Sequence, residues 1–544
     1  MIPAPASSEI VPGRSLVATR GGVVAASQPL AAAAAVRILD AGGNAADAAI
    51  AANAAVGVME PTGNGIGGDL FVLYYEAKSG KTFGLNSSGW APAGLTPAFL
   101  AEQGITAMPD RGIHTVTVPG VVAGWVALNE RFGAKPLGEV LQPAIRFAVE
   151  GFPLMEVTAR LWKGSEEWLR TIPEGAKTWL PDGHAPAAGA IFRNQALSVS
   201  LRRIADRGRA GFYEGETAAA ILAASQLAGG TLTAADLAEF RAGWVEPISV
   251  EYRGWKVSEI PPNTQGIAAL SMLRIMENFP LRDWGLHSPD ALHVAIESKK
   301  LAYADMLAFV GDPRAGRVPV DAMLDKRHAE ERAKLIVMDK AMPKADPSTF
   351  PGLTNSKGHD TIYLCVADRE GNVASLIQSN YMGFGSGIVP AGCGFMLHNR
   401  GALFILEPGK PNTLAPRKRP LHTIIPGMMA KDGAVIGFGI MGGWNQAQAH
   451  AQFVSHIADF GLPLQQALEA GRFTKATFEG RDVQLEASIP APARDNLAAR
   501  GHEITVVPLR SSTFGFGQAV MTTPAGVRFG ASDPRHDGAA IPQP

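Results

Sequence analysis

The sequence predicts an α+β fold in which helices and β-sheets form stacked layers of one large unit. Three observations predict it. Alanine-rich, helix-forming stretches dominate the first third of the chain. A β-prone hairpin opens abruptly at Thr361. The remainder is rich in glycine and in short apolar runs such as 434–441 and 503–507. The 544 residues exceed the size at which one core usually stops growing, so length alone predicts two or more domains. The layered pattern argues instead for a single unit.

Residues 30–40 have helix-forming composition, and Gly42-Gly43 stop them, as glycine does just past a helix end. Asn44 is placed to cap a second helix, with Asp47 in its first turn, and the alanines that follow allow close packing. Further helices are expected over 121–131 and 291–306. Between 338 and 357 the chain holds three prolines and few large apolar residues, the composition of a loop. Residues 361–368 are β-prone, Arg369-Glu370-Gly371-Asn372 is a turn signal, and 373–379 returns as a second strand. No regular internal repeat is present.

Composition narrows the function classes. Hydrophobic residues make up 46% and charged residues 18%, which fits a well-buried globule. The net charge of −1 offers no basic surface for nucleic acid. Two cysteines, Cys365 and Cys393, are too few for a disulfide framework or a cysteine zinc site and are expected as reduced, buried thiols. The opening residues lack a charged segment followed by an apolar one, so a cytoplasmic location is expected. No run of about 18 apolar residues occurs, so no membrane span is expected.

Several motifs have ordinary readings. Gly63-Asn64-Gly65-Ile66-Gly67-Gly68 matches the spacing of a dinucleotide fingerprint, but helical sequence precedes it and the strand-like 70–75 follows, the reverse of what that site needs. A glycine turn feeding a strand is the better reading. His293 and Glu297 are four apart on an expected helix, and His450 and His456 accompany another, without a third convergent ligand; no metal and no cofactor are expected. Ser386 lies in a glycine-rich run that fails the nucleophile-elbow spacing.

Thr361 is more distinctive. With a three-residue loop over 369–371, Asp368 pairs with Asn372 and Thr361 falls opposite Ser379. A two-residue turn would put Asn380 there instead. Either pairing sets a polar side chain beside the Thr361 hydroxyl, since facing Cβ atoms lie about 4.5–5.5 Å apart. Gly442-Gly443 end an apolar run, where backbone N–H groups could approach a ligand closely.

Taken together these residues resemble the γ-glutamyltransferase family of the N-terminal-nucleophile hydrolases. The similarity runs from about Gly21 to Arg535. Its anchors include Gly42 to Ala48, Gly65 to Gly68, Val118-Pro119-Gly120, Tyr303-Ala304-Asp305 and Gly311-Asp312-Pro313. Further anchors are Asp360-Thr361, Asp368 to Asn372, Phe384 to Gly387, Lys418 to Leu421, Gly442-Gly443 and Ala531 to Arg535. The resemblance implies a four-layer αββα sandwich made as a precursor. Self-cleavage between Asp360 and Thr361 would leave residues 1–360 and 361–544 as a large and a small subunit, intertwined in one folded unit. It implies Thr361 as nucleophile, Ser379 as its hydrogen-bonding neighbour and Gly442 and Gly443 as oxyanion donors. It also implies a small-molecule amide substrate with water or an amine as acceptor, by default a γ-glutamyl amide such as glutathione, and it allows a dimer of such units.

The substrate positions depart from the family. Its carboxylate-gripping arginine is Ser88 here, and its ammonium-binding aspartate is Leu403. The paired serines are His422-Thr423, and an asparagine is Tyr381, beside Asn380. Losing both charge partners removes roughly 3–6 kcal/mol, at about 1.5–3 per charged hydrogen bond. Arg400, Arg417 and Arg419 are candidates to compensate. Three readings follow: a γ-glutamyl hydrolase or transferase, an amide hydrolase for another acyl group (acylase-like or oxamate-hydrolase-like), and an uncleaved, non-catalytic scaffold.

Overall fold

The computed structural model describes residues 13–348, 361–509 and 511–544. The Asp360 side of the expected cleavage bond lies outside them, as does the 349–357 part of the expected loop; 338–348 is irregular, as expected.

Two seven-stranded antiparallel sheets face each other. The first runs, in spatial order, Ala539–Pro542, Val23–Ala26, Ile362–Ala367, Val373–Ser379, Asp69–Glu76, Lys81–Ser87 and Gly243–Val245. The second runs Val17–Thr19, Arg528–Ser532, Gly517–Thr522, Ala434–Ile440, Gly427–Lys431, Trp255–Glu259 and Ile248–Tyr252. Helices Pro29–Asp40 and Ala45–Met59 cover the outer face of the first sheet; Gly266–Met276 and Asn445–Ala458 cover that of the second. The fold is therefore an αββα sandwich. Strands from before residue 349 and after residue 360 are mixed within both sheets, so length does not translate into two separate domains.

Local chemistry explains the helix boundaries. Asn44 accepts the N–H groups of Ala46 and Asp47 while Asp47 returns a bond to the Asn44 N–H, a complete capping box. Two expected helices start one or two residues early, at Pro29 and Pro289, because proline suits a first helical turn where its missing N–H is not needed. Every residue of Ala45–Met59 is buried, so this helix carries no polar stripe and its alanines let it lie flat on the central strands.

The sheets meet through small and hydroxylated residues. Tyr363 of the first sheet lies over Gly439 of the second; a Cβ at Gly439 would come within 2.5 Å of its ring. The Tyr363 hydroxyl bonds Ser375 Oγ (2.7 Å), whose own proton goes to the Gly427 carbonyl across the interface (2.9 Å). This joint lies two residues along the strand from Thr361. Gly439→Ala is expected to destabilise the protein by about 1–3 kcal/mol through overpacking. Urea unfolding checks this; an unchanged midpoint would mean that the sheets part without cost.

Candidate functional site

The hairpin after Thr361 has the three-residue loop. Asp368 N–H bonds the Asn372 carbonyl (3.1 Å), and Ile362 pairs with Gln378, which brings Thr361 opposite Ser379. Thr361 Oγ1 donates to Ser379 Oγ at 3.2 Å, and Ser379 Oγ also accepts the Tyr381 N–H at 2.8 Å. Tyr381 reaches that position with φ of 79°, a conformation costly for an aromatic residue, which ends the strand immediately after Ser379-Asn380.

The pairing continues across the sheet. Ser379 faces Asp69, and Leu70 faces Ser87, so Asp69 faces Ser88. Thr361, Ser379, Asp69 and Ser88 thus form one row across the ends of four neighbouring strands, Thr361 and Ser88 each one residue beyond theirs, and facing residues project to the same side of a sheet. That side is the one carrying Tyr363, between the sheets.

Asp69 is the hub of the row. It is fully buried. Its Oδ1 accepts the Gly89 N–H (2.9 Å), and its Oδ2 receives His398 Nδ1 (3.0 Å), His422 Nε2 (2.8 Å) and Arg400 Nε (3.2 Å). Burial alone would raise its pKa, but the His398 and His422 rings that donate to it outweigh this and hold the carboxyl well below the usual range. His422 Nδ1 accepts the Ile424 N–H (3.3 Å), so its single ring proton is on Nε2 and the ring is neutral. Burial, reinforced by the Arg400 charge and opposed by Asp69, pushes the His422 pKa down to about 3. Arg400 is the fixed counter-charge; its Nη1 bonds Thr423 Oγ1 (2.8 Å) and its guanidinium lies 4.6 Å from the Tyr381 ring centre.

The remaining candidates fall around this hub. Ser88 is buried and donates to Asn86 Oδ1 (2.7 Å), while Asn86 and Asn263 pair through their amides (3.0 Å). Leu403 ends the short turn Arg400–Leu403, with its side chain in the apolar cluster that includes Leu421, Ile425 and Phe438 and its carbonyl on Asn412 Nδ2 (2.6 Å). Asn380 projects away from Ser379, toward Gly65 and Gly68, into a small cavity lined by Val58, Pro61, Asn64, Ile66 and Met396. His422 and Thr423 are engaged by Asp69 and Arg400.

Gly442 and Gly443 have φ of 122° and 58° and lead into helix Asn445–Ala458. Their carbonyls take the N–H groups of Asn445 and Gln446 (2.9 and 3.2 Å), so the glycine amides lie at the positive end of the helix dipole. Gln446 connects this corner to the row: its Nε2 is 3.5 Å from Thr361 Oγ1 and its Oε1 accepts the Ile425 N–H at 3.0 Å. The glycine run 63–68 follows a helix and feeds strand Asp69–Glu76, as read from sequence. It also backs the row: Gly63 lies against the Thr361 backbone, and a Cβ on Gly68 would come within 2.4 Å of the Ser379 carbonyl.

Sequence reasoning missed Asp69, Asn86, Asn263, His398 and Gln446 as site residues. Asp69 alone carried a local signal, a carboxylate at the head of an apolar strand. His293 and Glu297 do meet a third group, His502, in a buried cluster. There His293 bonds His502 (2.8 Å) and the Val337 carbonyl (3.0 Å), and Lys300 donates to Glu297 at 2.8 Å. His450 and His456 bond Glu259 and the Ala467 carbonyl separately.

Between about pH 6.5 and 3 the unfolded chain binds a proton that folded His422 refuses, so falling pH favours unfolding by up to about 1.4 kcal/mol per pH unit for this group. His422→Asn, which removes the titration, is expected to flatten the loss of stability between pH 6.5 and 4. Denaturant midpoints across that range test this, and parallel curves for the two proteins would count against it.

A family model described as gamma-glutamyltranspeptidase matches residues 31–543. Glutathione hydrolase-like YwrD proenzyme of Bacillus subtilis (strain 168) is 34% identical over 97% of this chain and 99% of that relative. Glutathione hydrolase proenzyme of Escherichia coli (strain K12) is 33% identical over 95% of this chain and 91% of the relative. The crystal structure of cephalosporin acylase from Bacillus halodurans superposes with a TM-score of 0.91 at 42% identity, covering 99% of this chain and 98% of that one.

Proposed function

Since the chain belongs to the gamma-glutamyltranspeptidase family of amide hydrolases and acyltransferases, we propose that Thr361 is its nucleophile, made N-terminal by self-cleavage of the Asp360–Thr361 bond. The single observation that carries this is the 3.2 Å bond from Thr361 Oγ1 to Ser379 Oγ at the head of a central strand. In the precursor the Thr361 hydroxyl attacks the carbonyl of Asp360, and hydrolysis of the resulting ester leaves residues 1–360 and 361–544 as large and small subunits. The names of both hydrolase relatives include the word proenzyme, in keeping with this.

In the mature enzyme the new α-amino group takes the Thr361 hydroxyl proton as the oxygen attacks the substrate amide. Its ordinary pKa of about 7.7–8.0 suits that exchange near neutral pH. Ser379 holds the hydroxyl by accepting its hydrogen bond. The N–H groups of Gly442 and Gly443, at a helix N-terminus, stabilise the developing oxyanion, an effect typically worth about 3–4 kcal/mol per donor. The amine leaves with the transferred proton, and water or a second amine then releases the acyl group from Thr361 Oγ1.

The acyl group is proposed not to be γ-glutamyl. Ser88 is closed into an Asn86–Asn263 amide pair and Leu403 is apolar, so neither charge expected for a glutamyl α-carboxylate and α-ammonium is present at those positions. The two unpaired, buried thiols accord with a reducing compartment, and a cytoplasmic location is proposed on that ground.

Denaturing gels of purified protein are expected to show two bands, about two-thirds and one-third of the chain, without added protease, because the attacking hydroxyl lies beside its own scissile carbonyl. Thr361→Ala should remain one band and Thr361→Ser should cleave more slowly. A small fragment whose N-terminal residue is not Thr361 would sink the proposal.

A further inference from the structure

The glycine corner is held from behind by two fully buried side chains, Gln265 and Tyr303. Gln265 directly precedes helix Gly266–Met276, and Tyr303 lies in helix Pro289–Phe309, so they come from different elements. Gln265 Nε2 donates to the Gly443 carbonyl (2.8 Å) and to the Thr423 carbonyl, which occupies both amide hydrogens. Tyr303 Oη donates its one proton to the Trp444 carbonyl at 2.5 Å and lies 3.4 Å from Gln265 Oε1. The Gln265 backbone is itself fixed. Its N–H bonds the His422 carbonyl (2.9 Å), and its carbonyl takes the Ala268 N–H (2.9 Å).

What these bonds hold is unusually free by nature. A glycine pair can adopt more backbone orientations than any other. The Gly442 and Gly443 carbonyls receive the Asn445 and Gln446 N–H groups, but those bonds lie in the first turn of a helix, where ends fray. The peptide after Gly443 is pinned through its oxygen by Gln265, and the next one by Tyr303. Peptide units are planar, so only φ and ψ of Gly443 connect its N–H to the pinned plane that follows. The same Gln265 amide ties this corner to Thr423, whose hydroxyl is held by Arg400 (2.8 Å), and through Arg400 to Asp69.

We propose that Gln265, backed by Tyr303, is a positioning residue that keeps the Gly442 and Gly443 N–H groups aimed at the oxyanion. It acts through backbone carbonyls rather than on the reacting atoms. This rests on the reading of the two glycines as oxyanion donors. Removing one such donor outright typically slows turnover about 100- to 1,000-fold, so a pair without its brace should lose at least about tenfold. The loss falls on kcat, because the oxyanion develops only on the way to the tetrahedral intermediate.

The test uses Gln265→Met, which keeps the side-chain length and removes both donors, and Tyr303→Phe, which takes one oxygen from the same brace. Processed wild type and variants are assayed with p-nitrophenyl acetate, an activated ester whose small acyl group needs no matched pocket, with Thr361→Ala as the blank. Hydrogen exchange over 441–446 is followed in parallel by mass spectrometry. Gln265→Met is expected to lower kcat at least roughly tenfold and Tyr303→Phe at least threefold, with KM within about threefold. Exchange over 441–446 should quicken while strand Gly517–Thr522 stays protected. A merely structural role would lower the urea midpoint and leave kcat per folded molecule unchanged, and that result overturns the proposal. Unchanged exchange also overturns it, since the corner then holds itself. Faster exchange with unchanged kcat overturns it differently: the brace exists, and the oxyanion reading of the glycines has failed. A wild-type rate no higher than the blank means that the nucleophile reading has failed, and the proposal falls with it. If Gln265→Met does not fold or process, Tyr303→Phe decides by the same outcomes.

Discussion

The site depends on one buried anion. Asp69 is removed from water, and such a charge persists only where the surrounding donors replace its hydration. Here the donors come from residues 89, 398, 400 and 422, so three separate stretches of chain are pinned to one carboxylate. Those stretches carry Ser88, Arg400, Leu403 and Thr423, the positions that shape the far end of the row. Removing one partner of such a buried pair typically costs about 3–5 kcal/mol, because the other is left uncompensated. The hub thus fixes geometry well beyond its own contacts, and sheet pairing hands that geometry on to Ser379 and Thr361.

Close backbone approach is the second constraint. The cradle of the row is built where side chains are missing: Gly63 against Thr361, Gly68 against the Ser379 carbonyl, and Gly439 under Tyr363. Gly442 and Gly443 add two consecutive positive φ angles that other residues adopt only at a cost. Gly63 and Gly68 bring the strand end and the preceding glycine turn together without intervening side chains, and the Gln446 side chain links the helix start to the Thr361 hydroxyl.

Local physics was legible in the sequence and distant coincidence was not. The hairpin could be counted because one turn fixes the register of both its strands, and the turn chemistry around Gly371 narrowed the Thr361 partner to two choices. The Asn44 cap and the reversed context of the 63–68 glycine run were equally local. Asp69 could not be assigned its partners, since each lies 20 to 353 residues away and none follows a periodic pattern. His422 illustrates the gap. Sequence placed it among substrate contacts, whereas its ring nitrogens are occupied by Asp69 and the Ile424 N–H.

The mixing of early and late strands in both sheets has a kinetic consequence. Strand Ile362–Ala367 lies between Val23–Ala26 and Val373–Ser379, and Ala434–Ile440 shares its sheet with Trp255–Glu259. Neither segment owns a complete sheet. If the proposed cleavage breaks the peptide bond before Thr361, native contacts remain but the covalent tether is gone. Refolding then requires two chains to find each other, and its rate falls on dilution, whereas the precursor folds at a rate independent of concentration. The cleaved molecule would survive by the height of its unfolding barrier rather than by a reversible balance. Assembly would be a one-time event written into the precursor, and the mature form a product that dilution prevents from being remade.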